Sequence, residues 1–469
     1  MPELEGAHGH FKNRIIMAKR NRHRKTKHLL EQNIHPKSAG IDIGAELIVA
    51  AIALDLKDDQ PVRSFGSFTS DLNTLASWLL SHQITTVAME STGVYWIPLY
   101  DILEKAGIEV CLVNARHVKG VPGKKTDVCD AQWLQQLHSA GLLKASFRPR
   151  TEVVQLRQLM RYRENLIQER SRQLQQMQKS LNEMNLKIHH VFSDLDGVSA
   201  MKIVESILSG EREADTLWGL RDGRVKAKKE IFLKAMEGSY DEHQLFILKQ
   251  HHSLWSSLQQ LIYQADQEIG EALKTLNLEA DKKELPAQKK HRLKVKNGPA
   301  FEAFAQAYQC YGVDLSTIDG VSSNCLSVLM SELGNRNDIL SHFKSAKAFS
   351  SWLGLCPDNR ISGGKVLKSK TRPVVNRVAK AFRLCAFSVG RSDGAMGKYA
   401  RRMKGKLGKA EGITAVAHKI ARLVYAMITN QKPYDSKQAF KENNFNKQKK
   451  LKVMKKLAEE LHYEVSPAC

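Results

Sequence analysis

Four carboxylates in the first third of the chain, and one serine far behind them, carry the chemistry that this sequence offers. Asp42 sits inside the apolar run GIDIG, between Ile41 and Ile43. A carboxylate there costs free energy unless something pairs with it. Glu90 ends a second apolar strand pattern, TTVAME, and Asp127 and Asp130 stand three apart in KKTDVCDA. That spacing puts them on one face of the helix the segment predicts. Acids from two strands and one helix can converge at a strand end. Mg2+ (or Mn2+) needs such a site: hard oxygen ligands, few of them, with positions left for phosphate and water. Singly, each acid has an ordinary reading as a cap or an ion-pair partner, and Asp127 suits a helix N-terminus for its charge alone. Together, in the order of elements given below, they read better as a metal site.

The serine is Ser362, in PDNRISGGKVLKSK. Ser-Gly pairs punctuate solvated turns; the sharper reading is that Ser362 meets a phosphate. Arg360, Lys365, Lys368, Lys370 and Arg372 would neutralise that phosphate and the extra charge of its transition state. Gly363 and Gly364 would let the backbone approach closely, with N–H groups turned to phosphate oxygens. A serine hydroxyl is a poor nucleophile until it loses its proton or the phosphate becomes more electrophilic. No histidine lies near it in sequence. A metal held by the four acids would supply the activation.

The charge of the chain agrees with a polyanionic partner. Lys and Arg number 72 against 49 Asp and Glu, a net +23, over 469 residues that leave room for two or three domains. Residues 37–150 carry eleven Lys/Arg against twelve acids, whereas 360–409 carry fifteen against the single Asp393. A near-neutral front and a strongly basic back suggest a division of labour. Aromatic residues are 7% and do not interleave the basic runs, which disfavours a base-stacking binder of single strands. The seven cysteines are scattered with no C-x-x-C pair, so neither a disulfide framework nor a zinc site is expected. With no signal-peptide core and no apolar run of spanning length, the expectation is a soluble intracellular protein without membrane contact.

The elements that must position these residues follow from periodicity. Residues 1–38 form a basic arm. From 39 to 150 the pattern is β-β-β-α-β-α-β-α, a mixed α/β domain, with Asp71 as the cap of the first helix. From 151 to 280 two long amphipathic stretches appear. One seam runs through Leu174, Met177, Leu181, Met184 and Ile188, the other through Leu254, Leu258, Leu261, Ala265 and Ile269. They either fold back on each other or pair between chains; this is the expected helical, coiled-coil oligomerisation region. A basic linker over 281–300 leads to a mostly helical domain, 301–430, interrupted by the serine loop, and a Lys-rich tail over 431–469. A short echo, LDGVS at 195–199 and IDGVS at 318–322, opens a helix each time. Either the glycine turn exposes N–H groups to a phosphate or the serine simply caps the helix.

The order of elements and the acids resemble the RNase H-like fold of RuvC-type Holliday-junction resolvases. More closely, GIDIG, the MESTGVYW…KKTDVCDA segment and the TIDGVS…NRISGGK segment resemble the DEDD transposases of the one-ten group of insertion sequences, the bridge-RNA-guided recombinases. The likeness spans about 39–150 and 310–430, in the right order. It implies an RNase H-like (RuvC-like) front domain and a C-terminal transposase domain in which Ser362 is the nucleophile and Asp42, Glu90, Asp127 and Asp130 the metal tetrad. It further implies that serine and tetrad come from different subunits of a dimer or tetramer. The serine would link covalently to a DNA 5′ end, conserving bond energy for strand exchange. A structured RNA from the element would choose DNA target and donor. The setting implied is the cytoplasm of a bacterium or archaeon, at the nucleoid. Two other classes fit the residues alone: a metal nuclease hydrolysing branched DNA, with Ser362 a mere phosphate contact, and a non-enzymatic nucleic-acid scaffold. A DEDD exonuclease fits poorly, because Ile43-Gly44 follow Asp42 where D-x-E is wanted.

Overall fold

The computed structural model describes residues 33–53, 59–91, 93–113, 127–276, 296–440 and 444–463. The expected basic arm up to residue 32, and most of the expected basic linker, lie outside them. The chain divides after Arg148 into two units.

The front unit is built on five strands, β1 (Ser38–Ile43), β2 (Leu47–Ile52), β3 (Val62–Gly66), β4 (Thr86–Glu90) and β5 (Glu109–Val113). Their spatial order is β3-β2-β1-β4-β5. The first three form an antiparallel meander, and β4 and β5 join parallel to β1. Strand alternation sorts the side chains onto two faces. Ile41, Ile43, Ile48, Ala50, Val87 and Met89 point to one core, where Leu72, Leu75 and Leu79 of α1 (Thr69–Ser81) and Leu99 and Leu103 of α2 (Trp96–Lys105) cover them. Helix α1 begins before Asp71, not at it. The Asp71 carboxylate accepts the Phe68 N–H at 3.3 Å from inside the first turn, where a negative charge also favours the helix N-terminus.

The opposite face takes a single helix among the described residues, α3 (Asp127–Ser139), over Val49 and Ala51. Its seat is Gly40. A Cβ at that position would lie 2.3 Å from both the Ala131 carbonyl oxygen and the Gln135 nitrogen, so only glycine lets the helix backbone settle on β1. At its other end His138 Nε2 meets the Thr86 hydroxyl at 2.9 Å, with His35 stacked on the imidazole at a ring separation of 5.0 Å. Burial, and secondarily the neighbouring His35, lowers the His138 pKa to about 4, so the ring is neutral at pH 7.

The back unit opens with two long helices, α4 (Thr151–Glu183) and α5 (Glu242–Leu276). They pack along each other antiparallel: Arg163 meets Asp266, Leu166 packs with Ile262, and Gln173 meets His251. Fold-back within the chain is thus the arrangement observed. The seam expected on α4 holds as far as Met177 and Leu181, with Leu174 half-buried; the helix ends at Glu183, and Met184 and Ile188 are buried beyond it, Ile188 in a separate 3-10 turn. The seam on α5 holds at Ala265 and Ile269 and is rotated by one residue ahead of them. Leu254 and Leu261 are 51% and 39% exposed, and the buried positions are Leu248, Ile262, Ala265, Ile269, Leu273 and Leu276. The rotation follows from Asp266, which must face Arg163. Between α4 and α5 a small helical cap closes over Phe192, Ile203, Trp218 and Phe232.

Arg163 and Asp266 are buried charges of this pair, 5% and 4% exposed; Arg170 of α4 is buried too, held by Gln259 and Asn297. Arg163 grips the carboxylate through Nε (2.5 Å) and Nη2 (3.2 Å), and its remaining donors reach the Asn297 and Gly298 carbonyls. Asp266 also accepts the Ala300 N–H at 3.1 Å. The pair therefore ties both helices to the chain that enters the C-terminal region. There α6 (Ser323–Leu333) lies on α4, with buried Glu332 held by Arg157 and Arg161, each at 3.0 Å. The helices α7 (Arg377–Ser388), α8 (Ala395–Leu407) and α9 (Lys409–Asn430) pack around Phe382, Met396, Ile420 and Val424. The two copies of the echo start differently. Gly197 directly precedes the first helix, whereas Ser322 caps α6 by accepting from the Cys325 N–H at 3.5 Å. Serine capping is thus the local role seen at the second copy. The Lys-rich tail contains a helix over Asn444–Glu460. Among the described residues no cysteine is in a disulfide and no helix is long and apolar enough to cross a membrane.

Two consequences follow for stability. Unfolded histidine binds a proton below about pH 6.5 while native His138 resists one down to about 4. The front unit is therefore at full stability from this source above pH 6.5 and loses it as pH falls towards 4. By about pH 5 the loss is about 2 kcal/mol, and His138→Gln flattens this part of the pH profile. Pulse alkylation of Cys111 on β5 in urea reads that unit specifically. Asp266→Asn leaves the buried Arg163 without a countercharge and costs about 3–5 kcal/mol, whereas the paired change Arg163→Met with Asp266→Leu costs less than either single change. Calorimetry of the three variants checks the ordering.

Candidate active site

The sheet places two of the expected acids side by side. Parallel pairing of β1 with β4 sets Ile41 opposite Met89, so the next residues, Asp42 and Glu90, are neighbours at the carboxyl edge of adjacent strands. Both are half-buried. Because Ile41 and Met89 point into the α1 and α2 core, Asp42 and Glu90 belong to the other face, the one that α3 covers.

Helix α3 brings the remaining two to the same edge. His138 sits by Thr86, at the start of β4, so α3 runs antiparallel to β1 and β4 and its N-terminus points to their carboxyl ends. From Gly40 to Asp42 a strand advances about 6.6 Å. From Gln135 back to Asp130 the helix advances about 7.5 Å, nearly the same distance. Asp130 is half-buried at that level and Asp127 is the first residue of the helix, one turn beyond. The Asp127 side chain lies outside the described residues. Among those described, no three His, Cys, Asp or Glu side chains are grouped closely enough to hold a metal ion. The backbone sets the four acids towards one edge of one face without closing the described side chains into a group; all four are oxygen donors of the kind a hard divalent cation takes.

Ser362 is where an irregular loop was expected, and the structure forms a β-hairpin there. Strands β6 (Arg360–Ser362) and β7 (Lys365–Lys368) pair antiparallel with Ser362 opposite Lys365. Gly363 and Gly364 make the two-residue turn with φ of +55° and +75°. Positive φ at both central residues is the type I′ turn, whose twist matches the flanking strands and which side chains resist. Nothing lies within 4 Å of where a Cβ would stand on either glycine. Ser362 and Lys365 are exposed on one face of the ribbon, and Ile361 (62% exposed) and Val366 (56%) form a bare apolar pair on the other. The ribbon is fastened at its base. The Asp358 N–H donates to the Lys370 carbonyl at 2.9 Å, and Ser369 Oγ donates to Asn359 Oδ1 at 2.7 Å. Arg372 Nη2 donates to the Ser351 carbonyl at 2.7 Å, so this arginine also anchors the ribbon to the preceding helix. The side chains of Arg360 and Lys368 lie outside the described residues.

The spacing arguments named the acids and the serine but passed over the residues that seat them. Gly40 and His138 decide where α3 lies, and neither has a chemical role in the reading above. A glycine inside a strand pattern, AGIDIG, is the one signal that a backbone comes close at that point.

Comparison with known families bears on both units. A family model for DEDD transposases of the IS110 group, described as a transposase, matches residues 39–186. A second, described as the transposase IS116/IS110/IS902 family, matches residues 314–401. Among curated proteins, none matches the chain. The first match spans the whole sheet, α3 and α4, extending past the boundary expected at 150. The second contains the hairpin with Ser362. With the two domains in this order, the chain carries the IS110-family transposase domains and is an enzyme, a DNA transposase/recombinase.

Proposed function

We propose that this transposase cuts and rejoins DNA at the ends of an insertion sequence through a covalent serine–DNA intermediate. In this reading Ser362 is the nucleophile, and Asp42, Glu90, Asp127 and Asp130 hold Mg2+ (or Mn2+) in a front unit of the RNase H-like, RuvC-like kind. What carries the reading is the β1–β4 register, which sets Asp42 beside Glu90 on the face where α3 begins. Two carboxylates so close would repel one another, and a bound divalent cation compensates that repulsion.

The residues divide the work as follows. The Ser362 oxygen attacks a backbone phosphorus, the P–O3′ bond breaks, and the proton lost by the serine ends on the leaving 3′ oxygen. The 5′-phosphate stays joined to the protein, so the phosphodiester count is unchanged and rejoining needs no external energy source. Lys365, opposite Ser362 in the ribbon, faces the charge that builds on the phosphate. Lys370 and Arg360 add positive potential along the same segment, and Lys368 and Arg372 continue it. The exposed N–H groups of Gly363 and Gly364 bond phosphate oxygens at close approach. When bound, the metal polarises a phosphate oxygen and the acids fix where it sits.

Choice of target and donor by a structured bridge RNA enters through the resemblance of the KKTDVCDA and SGGK segments. Phosphate contacts position a nucleic acid without reading its sequence, so the basic surface does not select the DNA by itself. Assembly as a dimer or tetramer, in the cytoplasm at the nucleoid, belongs to the same reading.

The test uses the full-length protein with Mg2+, DNA carrying the element's junction and RNA transcribed from its flank. A denaturing gel should show DNA attached to protein, dependent on the RNA. Ser362→Ala removes the adduct altogether. Asp127→Ala, Asp130→Asn and chelation by EDTA each lower its yield by about 10²-fold or more. Free cleaved ends without adduct, unaffected by Ser362→Ala but lost with Asp127→Ala, would replace this reading with a hydrolytic nuclease.

A further inference from the structure

The cations of α8 fall into two sets. One set is used internally. Arg401 Nη1 donates to the Gly390 and Ser392 carbonyls at 3.0 and 2.8 Å, and Lys404 lies over the Phe387 ring at 5.7 Å. The other set is Lys398, Arg402 and Lys406, spaced four apart and exposed, with exposed Lys409 just beyond the helix end. That spacing aligns them on one face, opposite the face that buries Met396, Gly397 and Ala400. Among the described residues none of these four has an ion-pair partner, and Arg402 only rests over Tyr399 at 5.4 Å. Gly405 lies beside the row with nothing within 4 Å of where a Cβ would stand.

This arrangement works against the helix. Like charges at i and i+4 repel, and an exposed mid-helix glycine gives up the favourable propensity of alanine. Meanwhile the base of α8 is fixed hard, since a Cβ on Gly397 would meet the Ser392 carbonyl oxygen at 1.8 Å. A rigid, straight row of cations about 12 Å long from Lys398 to Lys406 suits a ligand with charges repeated along a line. A free phosphate or a nucleotide would meet one or two of them.

We infer that Lys398, Arg402 and Lys406, continued by Lys409, form a track for the phosphate backbone of duplex DNA, with Gly405 leaving room for the backbone to approach α8. The inference rests on the chain's being a DNA transposase and adds a contact outside the serine hairpin. Such a track holds and orients the duplex without reading its bases.

Salt dependence measures it directly. Each phosphate contact to B-DNA adds about 0.9 to the slope of log affinity against log salt. In the full-length protein Lys398→Gln, Arg402→Gln and Lys406→Gln together should lower that slope by about 2–3 and weaken binding roughly tenfold or more, equally on unrelated duplexes. The melting temperature should hold or rise as the repulsion is removed. A matched control neutralises exposed Lys202, Lys234 and Lys249 to Gln and keeps the wild-type slope. Were the triple variant not to fold, the three single variants should each lower the slope by about 0.9. An unchanged slope, an equal loss in the control, or a loss seen with RNA but not with duplex DNA would each overturn the inference. Wild-type protein without salt-dependent DNA binding would instead sink the assignment on which it stands.

Discussion

The front unit turns on a missing methyl group. Gly40 lies on β1 where the backbone of α3 comes down on the sheet, and a Cβ there would overlap two backbone atoms of the helix. The proposed metal site at that end of the unit depends on this approach. The register of β1 with β4 makes Asp42 and Glu90 neighbours whether or not α3 is present. Only a helix seated at Gly40 and running antiparallel to those strands brings Asp127 and Asp130 to the same edge. A helix lifted off by even one side chain would leave two acids on the strands and two beyond their reach. At the far end of α3 the Thr86–His138 contact fixes its direction, and the buried imidazole stays neutral because a proton there would be poorly solvated.

The back unit depends on a constraint of another kind. A two-helix seam of leucines and methionines tolerates sliding by a turn, since one apolar residue replaces another. The Arg163–Asp266 pair does not, because a one-turn slip would bury each charge alone. The pair therefore specifies register. It also explains why Asp266 stands among the apolar residues of the seam, where Arg170–Gln259 and Gln173–His251 add further polar contacts between the helices. Its further bonds to the Asn297 and Gly298 carbonyls extend the same constraint to the segment leading into the C-terminal helices.

The front unit was legible in the sequence because each of its elements is short and carries its own signal. Apolar β-branched runs gave the strands, Gly107 and Gly141 follow the second and third helices, and among the described residues the order β-β-β-α-β-α-β-α is the order observed. The position of Asp42 was legible too, since a lone acid in GIDIG needs a reason. The seat of α3 was not, because a glycine in a strand says that something comes close without saying what. The rotation of α5 was hidden for a related reason. Leu254, Leu258 and Leu261 satisfy helical spacing as well as Leu258, Ile262 and Ala265 do, and only the long-range partner of Asp266 chooses between them. The hairpin at Ser362 escaped because Pro357, the glycines and Pro373 argue against helix but do not distinguish a loose loop from a two-residue turn between paired strands. The φ values of Gly363 and Gly364 make that distinction.

The distribution of charge gives these pieces a common logic. Carboxylates proposed to hold a metal and cations proposed to meet phosphates would neutralise each other if mixed, each lysine pairing with the nearest carboxylate. Here they are segregated along the chain: residues 37–150 are nearly balanced and 360–409 hold fifteen cations against one acid. Within the back unit the cations are sorted again. Arg157 and Arg161 are absorbed by buried Glu332, and Arg401 by backbone carbonyls, all holding helices in place. Lys398, Arg402 and Lys406 stand on the outer face of the same fold without a carboxylate among the described residues, and Lys365 stands beside Ser362 on an open ribbon. Folding has used the cations it needs for structure, and those left over are exposed, which supports the proposed contacts with the phosphates of DNA.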